Sequence, residues 1–354
     1  MNALSCLATG ARRSATIALV LVLAIAGATS PAAADQPAKQ IFGAAKLPAA
    51  LPASPIGFYS KGCLAGGIAI PADGPTWQAM RLSRNRRWGH PDLISLVEKL
   101  SREAAARDGW PGLLVGDIAQ PRGGPMLSGH ASHQVGLDAD VWLTPMPART
   151  LSAAERENLS ATSMLKKNTL FVDDKVWTSA HARLLMRAAS YPEVERIFVH
   201  PGIKKKLCDS WTGNRAAMSK IRPYYGHHYH FHIRIKCPPG ATGCKSQNPP
   251  SSAPGCDKSL AWWFTDEPWA PAKPSKDTKP KPKKREIQLS DLPSACAVVA
   301  AAPGPASEAE VTLGADPIAR IARANANAAG VQASAFTSLP LPGRIPLPVP
   351  RASY

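Results

Sequence analysis

The chain has 354 residues, a formal charge of +17, 45% hydrophobic and 6% aromatic residues, 35 prolines and seven cysteines. That is enough chain for one substantial core with biased segments attached, and it excludes a collagen-like or wholly low-complexity polymer. So basic a balance ordinarily points to nucleic acid, but the export signal read below sets nucleic acid aside in favour of an anionic wall polymer or lipid surface.

In chain order, Arg12 and Arg13 form a basic start, Ala15 to Ala28 an apolar run, and Ala32 to Ala34 a small-residue cleavage site. Residues 1–34 are therefore expected to be a secretory signal, with the mature chain in the periplasm. The run is too short for a spanning helix, and no later stretch reaches about 18 apolar residues, so no transmembrane segment is expected. Cys6 precedes the apolar run, which disfavours a lipid anchor. Without Arg12 and Arg13 the charge falls from +17 to +15.

Residues 35–55 are rich in Ala and Pro and read as a flexible N-terminal segment. A globular domain is expected over 56–268, which holds all nine histidines and eight of the nine tryptophans. Those large aromatics are expected in a packed core. Pro91 suits a first helical turn, and Leu93, Leu96, Val97, Leu100 and Ala104 form a helical stripe, predicting a helix over 92–107. Residues 179–190 predict a second helix, with Leu184, Leu185, Ala188 and Ala189 inward. Strands are predicted at 113–116, 137–143, 196–200 and 229–236. Helices and strands without a regular β-α-β rhythm predict an α+β fold. Residues 269–296 read as a linker, because Lys273 to Arg285 carries seven positive side chains against one Asp. Residues 297–354 are poor in aromatics and are expected to form a disordered tail, with polyproline stretches near Leu339 and Ile345.

Cys63, Cys208, Cys237, Cys244, Cys256 and Cys296 remain after the signal. An even count in an exported chain predicts three disulfides, and spacing alone leaves 15 pairings open.

Two stretches hold six of the nine histidines: Gly129-His-Ala-Ser-His-Gln-Val-Gly-Leu-Asp-Ala-Asp140, and His227-His-Tyr-His-Phe-His232. Imidazole and carboxylate suit zinc, and three protein ligands leave one position for water. Alternation along an extended segment puts His228, His230 and His232 on one face, while a turn at Gly136 lets His133 and Asp140 meet. Structural histidines would need six polar rings satisfied by hydrogen bonds, which is costly in a core. His90, His181 and His200 are isolated and read as structural. No His-Glu-x-x-His is present, which excludes the common helical protease motif. The pattern predicts metal-dependent hydrolysis of a peptide bond.

These motifs, with Gly62-Cys63, Arg86-Arg-Trp-Gly-His-Pro-Asp-Leu93, Gly116-Asp117, Arg196-Ile-Phe-Val199, His230-Phe-His-Ile-Arg234 and Cys237-Pro238, resemble the penicillin-insensitive murein endopeptidases. That family sits in a wider group with lysostaphin-type peptidases, D-Ala-D-Ala dipeptidases and hedgehog domains. The resemblance implies one metallopeptidase domain around a central antiparallel sheet, with Zn²⁺ as cofactor. It implies His133, Asp140 and His232 as zinc ligands, His230 as general base, His227 as an active-site partner, and His130 as a neighbour for a second metal or substrate. The family's second metal site uses an Asp-x-x-His that the region 168–171 lacks, so one zinc is expected. The implied pairing is Cys63–Cys296, Cys208–Cys256 and Cys237–Cys244. The implied substrate is peptidoglycan, cut at the D-alanyl–meso-diaminopimelyl crosslink, with an Arg of residues 84–87 or His227 aiding the oxyanion. A D-alanyl-D-alanine carboxypeptidase of the same group and a non-catalytic wall-binding protein are the alternatives; digestion products of crosslinked against monomeric muropeptides separate the first, and zinc content with any turnover the second.

Overall fold

The sequence His230-Phe-His-Ile-Arg-Ile235 alternates polar and apolar side chains without a break, and so does Asp138-Ala-Asp-Val141 before Trp142. In a strand, alternate side chains take opposite faces. Each segment therefore carries one face for a core and one for chemistry, and the fold is arranged around that division. The computed structural model describes residues 36–271 and 285–312. The expected signal over 1–34, the Lys/Pro stretch over 273–284 and the expected tail beyond 312 lie outside the described residues.

The first half of the chain gives α1 (Ala38–Ala44), β1 (Ser54–Phe58), β2 (Lys61–Ala65), β3 (Ile68–Ala69), β4 (Asp73–Gly74), β5 (Trp77–Ala79), β6 (Trp88–Gly89), α2 (Pro91–Arg107), β7 (Leu113–Val115) and β8 (Asp138–Trp142). The second half gives α3 (Ala153–Asn158), α4 (Ser179–Ser190), β9 (Val194–Val199), α5 (Pro201–Ser210), β10 (Ile221–Pro223), β11 (His230–Ile235), α6 (Lys258–Ala261) and α7 (Ala295–Ala301). Seven strands form one sheet in the order β10-β9-β11-β8-β7-β5-β4. It is antiparallel through its centre, as expected, and gains parallel pairs at β10–β9 and β5–β7. The fold is α+β.

On the helix side, Ala139, Val141, Phe231, Ile233 and Ile197 are fully buried against Leu93, Leu100, Leu184 and Leu185 of α2 and α4. Each of these side chains larger than alanine contributes roughly 1.5–3 kcal/mol by leaving water. The opposite face carries Asp138, Asp140, His230, His232 and Arg234. Register sets His232 opposite Asp140 and Arg234 opposite Asp138.

The isolated histidines are structural. His90 Nδ1 accepts the Asp92 N–H (3.3 Å) in front of Pro91, and His200 Nδ1 accepts the Gly202 N–H (3.1 Å) in front of Pro201. Both act as helix N-caps, satisfying donors the first turn leaves over. His181 Nδ1 accepts the Thr178 N–H (3.0 Å), and its Nε2 meets the Leu143 carbonyl (3.0 Å).

Two expectations are corrected. Residues 36–55 are not loose: α1 buries Ala38 and Phe42. Nor is the chain loose from 297 onwards within the described residues, because α7 buries Cys296 and Val299. Ala38, Phe42, Cys63, Ala65, Leu292, Cys296 and Val299 make a second, smaller core. Residues beyond α7 remain attached: the Ala50 N–H donates to the Pro303 carbonyl (2.8 Å), the Ala69 N–H to the Val311 carbonyl (3.0 Å), and Arg87 pairs with Glu308. Neither segment has enough apolar surface to fold alone, so composition reads each as loose. Together they cover β2.

The three disulfides are Cys63–Cys296, Cys208–Cys256 and Cys237–Cys244. The first joins residues 233 apart and pins the small core. The tryptophans divide: Trp77, Trp88 and Trp110 are in the interior, but Trp262 and Trp269 are exposed. The expectation that the large aromatics of 56–268 belong to the core fails for Trp262; Trp269 lies just outside that span.

Candidate metal centre

His133 enters the site from the 129–136 loop with φ +67, a left-handed conformation that a non-glycine residue adopts only when its surroundings hold it there. Its N–H donates to Asp138 Oδ2 (3.0 Å), the next residue's N–H donates to the Tyr59 carbonyl (3.1 Å), and Gln134 Nε2 donates to the Ser60 (2.9 Å) and Ala131 (3.1 Å) carbonyls. Gly136, at φ +69, returns the chain to β8; a Cβ there would lie 2.6 Å from Leu64 Cδ2.

Ring hydrogen bonds fix which nitrogen of each histidine is bare. His133 Nδ1 lies 2.6 Å from the Ile118 carbonyl, which only accepts, so Nδ1 carries a proton and Nε2 is the nitrogen left to face the site; burial lowers this ring's pKa, but Asp140 outweighs it and raises it. His232 Nε2 donates to Asp138 Oδ1 (2.8 Å), leaving Nδ1 bare. His130 Nε2 donates to Asp117 Oδ2 (3.1 Å), again leaving Nδ1 bare. All three bare nitrogens face one carboxylate. His133 Nε2 and His232 Nδ1 lie 3.5 and 3.4 Å from Asp140 Oδ1, and His130 Nδ1 lies 3.5 Å from Asp140 Oδ2. Neither His133 Nε2 nor Asp140 Oδ1 has a hydrogen-bond partner among the described residues although both are buried. A cation held among these atoms would satisfy both. Atoms of His130, His133 and Asp140 lie within 4.8 Å of one another, as a shared ion requires.

The supporting residues set the charge. Burial pushes the Asp140 carboxyl up, but the rings of His230, His133 and His232 hold it well below the ordinary range. Burial also opposes ionisation of Asp138, and Arg234 and His232 overcome it; Arg234 Nε lies 2.7 Å from Oδ1. Asp117 is brought down to about 2 as His130 and Arg86 outweigh its burial. Burial lowers His230 and His232 to about 4 each, against the pull of Asp140 and Asp138 respectively, so both rings are neutral at pH 7. Each candidate ligand ring thus rests on a carboxylate or carbonyl, the arrangement that orients a metal-binding imidazole.

His230 and His227 stand beside the cluster. His230 Nε2 lies 3.7 Å from Asp140 Oδ1, and its buried Nδ1 has no hydrogen-bond partner among the described residues. The His227 ring is 4.8 Å from the His230 ring, and its Nδ1 meets the Tyr225 carbonyl at 2.5 Å. His228 departs from the expected alternation. The strand begins only at His230, after a turn at Gly226 (φ +77), and His228 Nδ1 turns away to Ser163 Oγ (3.0 Å). A cleft of about 270 Å³ opens from Asp140 and His130 towards Arg81 and Arg84. Of the predicted arginines, Arg84 and Arg86 reach Asp117 (3.2 and 2.9 Å), whereas Arg87 binds the Ile70 carbonyl away from the site.

The family model described as penicillin-insensitive murein endopeptidase matches residues 55–301. The chain belongs to this family. A penicillin-insensitive murein endopeptidase of Haemophilus influenzae is 44% identical over 233 residues, 65% of this chain and 80% of the relative. One of Klebsiella pneumoniae is 34% identical over 268 residues, 76% of this chain and 94% of the relative. One of Yersinia enterocolitica is 36% identical over 254 residues, 72% and 90% respectively. The match to the murein endopeptidase family starts at β1 and ends with α7, so it takes in the donor cluster and both halves of the small core's disulfide.

Asp117 and Asp138 are the residues that sequence reasoning left without a role. The signal for Asp138 was present: it lies two residues before Asp140 on one strand, so it must share its face. Asp117 appeared only within the Gly116-Asp117 motif, and its role was not legible because only the fold brings it beside His130.

Proposed function

We propose that this chain is an exported, zinc-dependent murein endopeptidase that hydrolyses the D-alanyl–meso-diaminopimelyl crosslink of peptidoglycan and is insensitive to penicillin. The observation that carries the reading is the facing of bare, buried donors: His133 Nε2 and His232 Nδ1 on Asp140 Oδ1. These three residues would hold the ion, because they share one unsatisfied oxygen. His130, partly exposed and on the other oxygen, would complete the rim of the site. Two imidazoles and a carboxylate with an open side suit zinc. When bound, such an ion supplies Lewis acidity and a nucleophile at neutral pH.

The chain's own residues do the rest. His230 is a neutral ring at the cluster's edge and accepts a proton from the attacking water. His227, held by the Tyr225 carbonyl, stands behind it to position or receive that proton. Arg84 faces the cleft, where its guanidinium draws the carboxylates of the stem peptides. None of this uses a serine nucleophile, so drugs that acylate serine find no target. Three disulfides agree with an oxidising compartment, and among the described residues no helix is long and apolar enough to cross a membrane.

The test is digestion of purified muropeptides. Crosslinked dimers should fall to monomers, at a rate penicillin leaves unchanged, and a chelator should stop the reaction until zinc is restored. Release of terminal D-Ala with dimers left intact would replace the endopeptidase by a carboxypeptidase.

A further inference from the structure

Beside the metal cluster stands a surface that the reaction does not use. Tyr224, Tyr225, Trp262 and Trp269 are 52%, 43%, 39% and 37% exposed, and with Trp263 they form one continuous aromatic wall. Ring centroids lie 6.2 Å apart for Tyr224–Tyr225, 4.9 Å for Tyr225–Trp263, 5.3 Å for Tyr225–Trp269 and 5.2 Å for Trp262–Trp263. The wall is built rather than incidental. The Cys208–Cys256 disulfide anchors the chain just before α6, and tight turns at Trp262–Phe264 and Glu267–Trp269 present the indoles. Three of the polar edges are spent internally: Trp262 Nε1 donates to Glu267 Oε2 (2.9 Å), Trp269 Nε1 to the Trp263 carbonyl (2.8 Å), and the Tyr225 hydroxyl to the Pro268 carbonyl (2.5 Å). What remains for a ligand is flat apolar ring surface, which soluble proteins expose contiguously where something binds.

We propose that this wall is a subsite for the neutral amino-sugar strand of peptidoglycan, an inference that rests on the murein reading above. Position is the first argument. Tyr224 packs on His227 (5.5 Å) and His227 on His230 (4.8 Å), so the wall begins two ring contacts from the proposed base. A four-residue stem stretched from the scissile bond spans roughly 13–14 Å, so the sugar at its far end reaches these rings. Charge is the second argument. Arg81 and Arg84 line the cleft on the other side of the cluster and suit the carboxylates of the peptide. The aromatic wall carries Asp266 and Glu267 in its own turn, which repel those carboxylates and leave a neutral ligand. A pyranose has such a face: its ring C–H groups present an apolar plane that stacks on an indole, while its hydroxyls stay in water. The enzyme would then hold the glycan by the aromatic wall and the crosslink by the basic one.

The test compares two crosslinked dimers, one carrying its disaccharides and one stripped of them, with the full-length protein. Trp262→Ala and Trp269→Ala should each raise KM for the sugar-bearing dimer by roughly tenfold, the scale of one stacking contact. Both should leave kcat, and all constants on the stripped dimer, unchanged. Trp262→Phe, which keeps a flat ring, should retain most of the affinity. Titration with soluble uncrosslinked glycan strands should change the wild-type tryptophan fluorescence and leave the double Trp262→Ala/Trp269→Ala variant unmoved. Equal losses on both dimers would overturn the proposal in favour of a structural or peptide-binding role, as would unchanged KM in variants with native Tm. Should the wild type cleave neither dimer, the endopeptidase reading fails by itself, and the fluorescence titration still decides the glycan subsite.

Discussion

The two histidine-rich segments reach the same carboxylate by opposite means. His230 and His232 are placed by a strand: the pleat sets their face, and pairing with β8 sets His232 opposite Asp140. His133 is placed by a loop in a left-handed conformation, held by the Asp138 carboxylate, the Ile118 carbonyl and the turn at Gly136. The strand half follows from a sheet that the core already requires. The loop half depends on hydrogen bonds made for the site. Asp138 belongs to both, because one oxygen takes the His232 ring and the other takes the His133 backbone.

The largest effect on turnover with the metal retained should come from His230, on the strand half. His230→Ala is expected to keep most of the zinc while turnover on crosslinked muropeptides falls by roughly 10²–10⁴-fold, the range for a lost general base. In contrast His133→Ala, Asp140→Ala and His232→Ala should each lose the metal, as metal analysis of the purified variants will read. Full activity in His230→Ala would shift the base to His227. Next in size, Asp138→Asn should weaken zinc by roughly 10–100-fold, since an amide orients and polarises His232 less well than a carboxylate. Competition with a chromogenic chelator measures it, and unaltered affinity would show that the two halves are not joined through this residue. Smallest is Gly136→Ala. Its φ of +69 and the nearness of Leu64 predict a loss of roughly 1–3 kcal/mol in stability. A thermal melt of the apoprotein reads it, and an unchanged Tm would mean that the loop bends freely and the contrast is overdrawn.

How much of this was legible follows from the same contrast. Periodic features could be read: the stripe of α2 begins one residue before its expected start, α4 matches end to end, and β7, β8, β9 and β11 lie within two residues of their expected bounds. His133, Asp140 and His232 come together as expected, and so do His130, His230 and His227. Features made by distant contact could not be read. Phe42 and Val299 lie in Ala-rich stretches whose composition says loose, and they are ordered by each other's neighbourhood on β2. His228 shares the spacing of its neighbours, yet strand geometry stops short of it. A tryptophan looks alike in sequence whether buried, as Trp88, or exposed, as Trp262; only the fold distinguishes them.

The disulfides close like nested brackets: 237 with 244 inside 208 with 256 inside 63 with 296. That order has a consequence for a chain delivered through a membrane N-terminus first. Cys63 arrives alone, and the first thiol to follow it is Cys208, a wrong partner; Cys208 then meets Cys237, wrong again, before its own mate has emerged. No native bond is available on arrival until Cys244, and the outermost waits for the last cysteine of all. For a chain exported as proposed, maturation would call for either thiols kept reduced until delivery ends or an isomerase that undoes early mistakes, at the seconds-to-hours pace of thiol exchange. A cell that oxidises cysteines in order of appearance without proofreading should accumulate this protein in misbridged form.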